Sequence, residues 1–81
     1  MKVKAKLFAG LRERMKEREM ELQLPAGSTL QGLIDLMVQQ HPLLHDYLPS
    51  LHFAVNRKYA SLDTDLQDGD AVALLPPVGG G

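Results

Sequence analysis

Asp68-Gly69-Asp70-Ala71-Val72-Ala73-Leu74-Leu75-Pro76-Pro77-Val78-Gly79-Gly80-Gly81 is the stretch on which the reading of this chain turns. Asp-Gly-Asp is a turn signal. The five apolar residues after it read as a strand. Val72 and Leu74 share the parity that faces a core, and Leu75 has the outward parity. Pro76 and Pro77 then fix φ and favour an extended course. Val78 leads into Gly79, Gly80 and Gly81. These glycines bring no side chains for a core or for chemistry, only narrow backbone and an unhindered terminal carboxylate. We therefore expect a folded domain over residues 1–75, a flexible tail over 76–81, and a reactive group that is the C-terminus itself.

Working outward from that strand, the rest of the chain reads as a small two-layer domain. Lys2, Lys4 and Lys6 alternate with Val3, Ala5 and Leu7, which predicts a half-buried strand. Phe8 shares the lysines' parity and should point away from the core. Residues 9–16 read as a short helix with Leu11 and Met15 four apart on one face. Met20, Leu22 and Leu24 alternate with Glu19, Glu21 and Gln23 in a second strand, closed by Pro25-Ala26-Gly27. Ser28 or Thr29 is placed to cap a helix carrying Leu30, Leu33, Ile34 and Met37, with Leu36 and Val38 widening the stripe. It should stop near His41, because Pro42 disfavours helical geometry in the residue before it. Leu43 to Leu51 reads as a connection with room for one helical turn, broken by Pro49. His52–Val55 is a third strand, Asn56-Arg57-Lys58 a turn, and Tyr59–Leu62 a short return strand. That order fits an α+β domain: a mixed sheet of about five strands with one main helix across it.

Composition narrows the functional classes. With 81 residues the chain makes one small domain and a modest core. Aromatics are only 5%, so that core must be built from Leu, Val, Ile, Met and Ala. Cysteine is absent, which excludes disulfides, thiolate metal sites and cysteine nucleophiles. No segment resembles a signal peptide or approaches the ~20 residues of a membrane span, so the expected compartment is the cytoplasm. A net charge of −1 is too little cationic excess for a nucleic-acid partner. Asp63, Asp65, Asp68 and Asp70 make the final third acidic, which suits docking on a basic protein surface. His41 and His45 are four apart, but Pro42 interrupts their helix and no third ligand is apparent, so no metal site is expected. The Asp63-to-Asp70 stretch is a poor calcium loop: its glycine is one position late and no closing glutamate follows. No helix follows the terminal glycines, so they are not a phosphate cradle.

Four segments carry a resemblance to the β-grasp, ubiquitin-like sulfur carriers, and within them to the small subunits of molybdopterin synthase. They are Lys6-Leu7-Phe8-Ala9-Gly10-Leu11-Arg12-Glu13, Gly27-Ser28-Thr29-Leu30, Ala54-Val55-Asn56, and Leu66 to Gly81. Together they cover essentially the whole chain. Thiamine-pathway carriers also end in Val-Gly-Gly-Gly, but they are typically shorter and usually lack the short helix after strand one and the Pro-Pro pair. Residue 79 varies among the synthase subunits, so glycine there is no departure.

The resemblance implies a carrier rather than an enzyme in its own right. An ATP-using, E1-like adenylyltransferase would adenylate Gly81, and a persulfide donor protein would replace AMP with sulfur to leave a thiocarboxylate. The tail Pro76, Pro77, Val78, Gly79, Gly80 would thread into the large synthase subunit, where sulfur passes to a cyclic pyranopterin monophosphate. Two sulfurs per pterin imply that two charged small subunits are consumed, and the resemblance implies a heterotetramer of two large and two small subunits. Phe8, Tyr59 and Leu75 match family positions at the contact with the large subunit. No bound cofactor, metal, nucleic acid or membrane is implied. The alternatives are sulfur delivery for thiamine or transfer-RNA thiolation, conjugation of Gly81 to lysines as a protein modifier, or a ubiquitin-like binding module with an idle terminus.

Overall fold

Lysine on every other residue leaves Lys2–Leu7 one way to lie: lysines to water, Val3, Ala5 and Leu7 to the interior. In the computed structural model, which describes residues 1–76, those six residues form β1 in that alternation. A short helix α1 (Ala9–Met15) follows and buries Leu11 and Met15. It stops at Lys16, which takes a left-handed conformation, φ 58°. β2 (Glu19–Gln23) returns antiparallel to β1 with Val3 opposite Leu22, so both apolar sets share one face. The Met1 ammonium donates to the Leu24 carbonyl at 2.7 Å and extends that pairing by one step.

α2 (Leu30–Gln40) begins where the sequence offered two caps, and Thr29 takes the role: its hydroxyl oxygen accepts from the Gly32 amide. The Ser28 hydroxyl instead donates to the Pro25 carbonyl and closes the preceding turn. Leu30, Leu33, Ile34 and Met37 are all buried in the core they share with the sheet. At ~1.5–3 kcal/mol for each such side chain, this stripe is a major part of the gross hydrophobic gain.

The connection expected to hold one helical turn is helical over more of its length. Pro42–Ser50 forms a 3₁₀ segment. Pro42 occupies its first position, where a fixed φ helps and no amide is needed. Leu44 is fully buried and pins the segment to the core. β3 (His52–Val55) and β4 (Lys58–Ala60) are joined by Asn56 and Arg57 alone, both at positive φ (51° and 72°). A two-residue reversal of this kind suits the twist of a hairpin. Lys58 therefore lies in the strand rather than the turn, and β4 ends at Ala60, short of the expected Leu62.

β5 (Ala71–Leu75) completes a five-stranded sheet in the order β2-β1-β5-β3-β4, with β1 and β5 parallel and the other pairs antiparallel. Helices on one face and a parallel pair of terminal strands at the centre make this the β-grasp, ubiquitin-like fold. The expected tail residues Pro77 to Gly81 lie outside the described residues.

Candidate functional site

The face of the sheet turned away from the core is divided in two. Cross-strand partners share a face. Glu19 is opposite Lys6, Lys6 opposite Ala73, Ala73 opposite Ala54, and Ala54 opposite Tyr59. One continuous row thus runs across all five strands, charged at one end and apolar at the other. On the β1–β2 half, Lys2 reaches Glu21 and Lys4 reaches Glu19, each at 3.6 Å. These pairs are more than 40% exposed, so they keep that half soluble and contribute little stability.

On the β5–β3–β4 half the floor is small. Ala54 is buried, Ala73 half-buried, and Leu75, two residues beyond Ala73 at the end of β5, lies half-buried opposite His52. Two aromatics rise from this floor: Phe8 is 41% exposed and Tyr59 84%. Phe8 stands just past the end of β1 and Tyr59 in β4, strands three spacings or roughly 14 Å apart. The outward parity read for Phe8 and Leu75 places them as observed. Tyr59 adds a third apolar group on the same face.

A turn-and-strand clasp fixes one edge of this half. Asn56 donates through Nδ2 to Asp70 Oδ1 at 2.8 Å and accepts at Oδ1 from the Ala71 amide at 3.0 Å. Asp70 Oδ2 accepts from the Gln67 amide at 2.8 Å. Only 8% exposed, Asp70 is the buried charged residue among those described. Asp68 accepts from the Lys2 amide at 2.7 Å, and Asp63 accepts from the Ser61 hydroxyl. Two aspartates of the acidic final third, Asp68 and Asp70, thus tie turns to the sheet. No spacing rule could have paired Asn56 with Asp70, because the contact exists only once β3 and β5 are in register.

Beside the clasp is a shallow cleft of about 400 Å³ lined by Lys6, Phe8, Asn56, Arg57, Ala71, Val72 and Ala73. A larger depression of about 700 Å³ lies elsewhere, between the end of β2 and α2, and includes Leu24, Pro25 and Leu36. His41 and His45 gather no third ligand: among the described residues no group of three or more His, Cys, Asp or Glu could hold a metal. No helix among these residues is long and apolar enough to cross a membrane.

The class is that of ubiquitin-like β-grasp domains with an uncovered, partly apolar sheet face beside the end of a central last strand. More narrowly, the chain belongs to the ThiS family, whose model matches residues 5–81. It is 39% identical to a molybdopterin synthase sulfur carrier subunit of Mycobacterium tuberculosis, over 100% of this chain and 99% of that one. Among solved structures it resembles small archaeal modifier protein 1 (SAMP1) of Haloferax volcanii, with a TM-score of 0.92, 28% identity and both chains fully covered. It also resembles a chain in the complex of subunits 1 and 2 of the molybdopterin-converting factor of Helicobacter pylori, with a TM-score of 0.74, 30% identity and full coverage of both. The resemblance read from the four sequence segments is met at the level of family and fold.

Proposed function

We propose that this chain is the sulfur-carrier subunit of a molybdopterin synthase and that its chemistry takes place at Gly81. The observation that carries this reading is end-to-end similarity to a named carrier subunit, with an open sheet face beside the root of the C-terminal segment. A carboxylate is a poor electrophile: its charge repels nucleophiles, and oxide is a bad leaving group. Adenylation by an E1-like enzyme solves both problems. One Gly81 oxygen attacks the α-phosphate of ATP and releases pyrophosphate. A persulfide sulfur then displaces AMP, and reductive cleavage of the S–S bond by a donor-side thiol leaves a thiocarboxylate. In the large subunit that sulfur attacks a cyclic pyranopterin monophosphate, and hydrolysis of the resulting acyl link returns the carboxylate. The large subunit supplies the acid, base and phosphate-binding groups. Two charged carriers are used per pterin, in a heterotetramer of two large and two small subunits.

Docking uses Phe8, Tyr59 and Leu75 on the open sheet face, and Pro76 to Gly81 enter the partner. Fully extended, those residues span roughly 20 Å, enough to place Gly81 inside a neighbour while the domain stays outside. The likeness to an archaeal modifier protein favours one second reading, in which the activated Gly81 acylates a lysine amine instead.

The test is deletion of Gly80 and Gly81. The truncated chain should unfold like the parent and bind the large subunit, yet gain no mass when incubated with ATP, the activating enzyme and a sulfur donor. The full chain should show the gain of exchanging one oxygen for sulfur. A full-length chain that stays uncharged under conditions that charge a known carrier defeats the proposal. Lysine adducts bearing this C-terminal sequence would favour the second reading.

A further inference from the structure

We propose that the cleft between Lys6, Phe8 and Arg57 receives a carboxylate side chain of the large subunit, giving docking an ionic anchor beside its apolar one. The inference rests on the docking reading above and adds the chemistry of the occupant.

Three observations lead to it. First, Lys6 differs from the other lysines of its row. Lys2 and Lys4 each have a glutamate at 3.6 Å. Glu19, the register partner of Lys6, is turned to Lys4 instead. Among the described residues no carboxylate lies within ion-pair distance of Lys6 or of Arg57. Second, the acid beside the start of the neighbouring strand is turned to other partners and makes no ion pair with either cation. Asp70 is buried, and its two oxygens are taken by Asn56 Nδ2 and the Gln67 amide. Among the described residues, two cations therefore line one cleft without a carboxylate in ion-pair contact. Third, Arg57 stands at φ 72°, a conformation that costs a side-chain-bearing residue roughly 1 kcal/mol or more and suits glycine. A cation is displayed there at the expense of backbone comfort.

The cleft is also shaped for a side chain reaching in from a docked surface. Ala71 and Ala73 leave its floor low, and Phe8 gives it an apolar wall continuous with the docking face. A free small anion would be held poorly. The Ala71 amide is already used by Asn56, and Lys6 and Arg57 are both exposed to water and screening salt. A carboxylate carried by a partner is positioned by the surrounding apolar contact and shielded by it, which strengthens the same charge pair.

The experiment measures the affinity of the intact chain for its own large subunit at low and high salt. The variants are Lys6→Glu/Arg57→Glu, the neutral Lys6→Gln/Arg57→Gln, and Phe8→Ala, each with its unfolding midpoint recorded. The reversed pair should weaken binding by at least about 30-fold at low salt, the neutral pair by less, and both should flatten the salt dependence. A Glu→Lys or Asp→Lys change on the large subunit that restores binding to the reversed pair would identify the occupant. If both cation variants bind like the parent while Phe8→Ala binds weakly, the ionic anchor is overturned and the docking reading stands. If all three bind like the parent, the docking reading falls as well. Saturable chemical-shift changes at Lys6 and Arg57 with inorganic phosphate, without any loss of large-subunit affinity in the cation variants, would make this a small-anion site and also overturn the proposal.

Discussion

Tyr59→Ala separates folding from docking more cleanly than any other single change. Tyr59 projects from the edge strand β4 and is 84% exposed, so the folded monomer buries little of it. Its loss should cost the isolated domain less than about 1 kcal/mol, the span of strand propensity. Docking would cover most of the ring. An aromatic of this kind offers ~150–250 Å², and at ~25 cal/mol per Å² the ceiling is roughly 4–6 kcal/mol. Side-chain ordering and desolvation of the hydroxyl take back part of that. A loss of ~1–3 kcal/mol is expected, or roughly 5- to 150-fold in Kd. Titration calorimetry against the large subunit and against the activating enzyme reads the affinity, and urea unfolding reads the fold. Wild-type affinity for both partners with an unchanged unfolding midpoint would refute the assignment of this face to docking.

Asp70→Ala should destabilise the domain by about 2–3 kcal/mol in urea unfolding, because a buried carboxylate bonded to Asn56 and the Gln67 amide is lost; a change under about 0.5 kcal/mol would show that water replaces the clasp. Arg57→Gly should stabilise the domain by up to about 1 kcal/mol, since glycine relieves the positive φ, and yet weaken large-subunit binding in calorimetry; a gain in both would contradict the role given to its charge.

Much of this architecture is visible along the chain, because it depends on residues near one another. Strict alternation in β1 and β2 dictates which residues are buried, and parity alone carries Phe8 and Leu75 to the open face. The 3₁₀ segment was less visible, since two prolines in nine residues read locally as interruption. Its order comes from Leu44 entering the core, a tertiary contact. The same distinction governs the site. Tyr59 is two residues past a turn whose length depends on Asn56 and Arg57 both adopting positive φ, so its face could not be fixed from spacing. Asp70 read as one more turn acid because nothing local marks it for burial. Lys6 looked like its neighbours Lys2 and Lys4. What distinguishes it is that Glu19 pairs diagonally with Lys4, a choice made by side chains after the sheet has formed.

The placement of β5 explains why a carrier would leave this sheet face uncovered. β5 is the third of five strands, paired with β1 through Leu74 and with β3 through Leu75. The C-terminal segment thus starts from a point held on both sides, beside the half of the face that bears Phe8, Tyr59 and the alanine floor. A partner seated there fixes the starting point of the terminal segment within a few ångströms. On the docking proposed above, Gly81 would be confined to a volume set by the reach of the residues after Leu75, and its local concentration at a site within that reach would be of millimolar order. If the same patch were on the helical side of the domain, the partner would hold the carrier equally well but the segment would start on the opposite layer, about 10 Å further away. Under that proposal, docking strength and delivery would be coupled through one geometric feature, the central position of β5. A mutation that weakens the face should lower the rate of sulfur transfer at limiting carrier, while saturating carrier restores it.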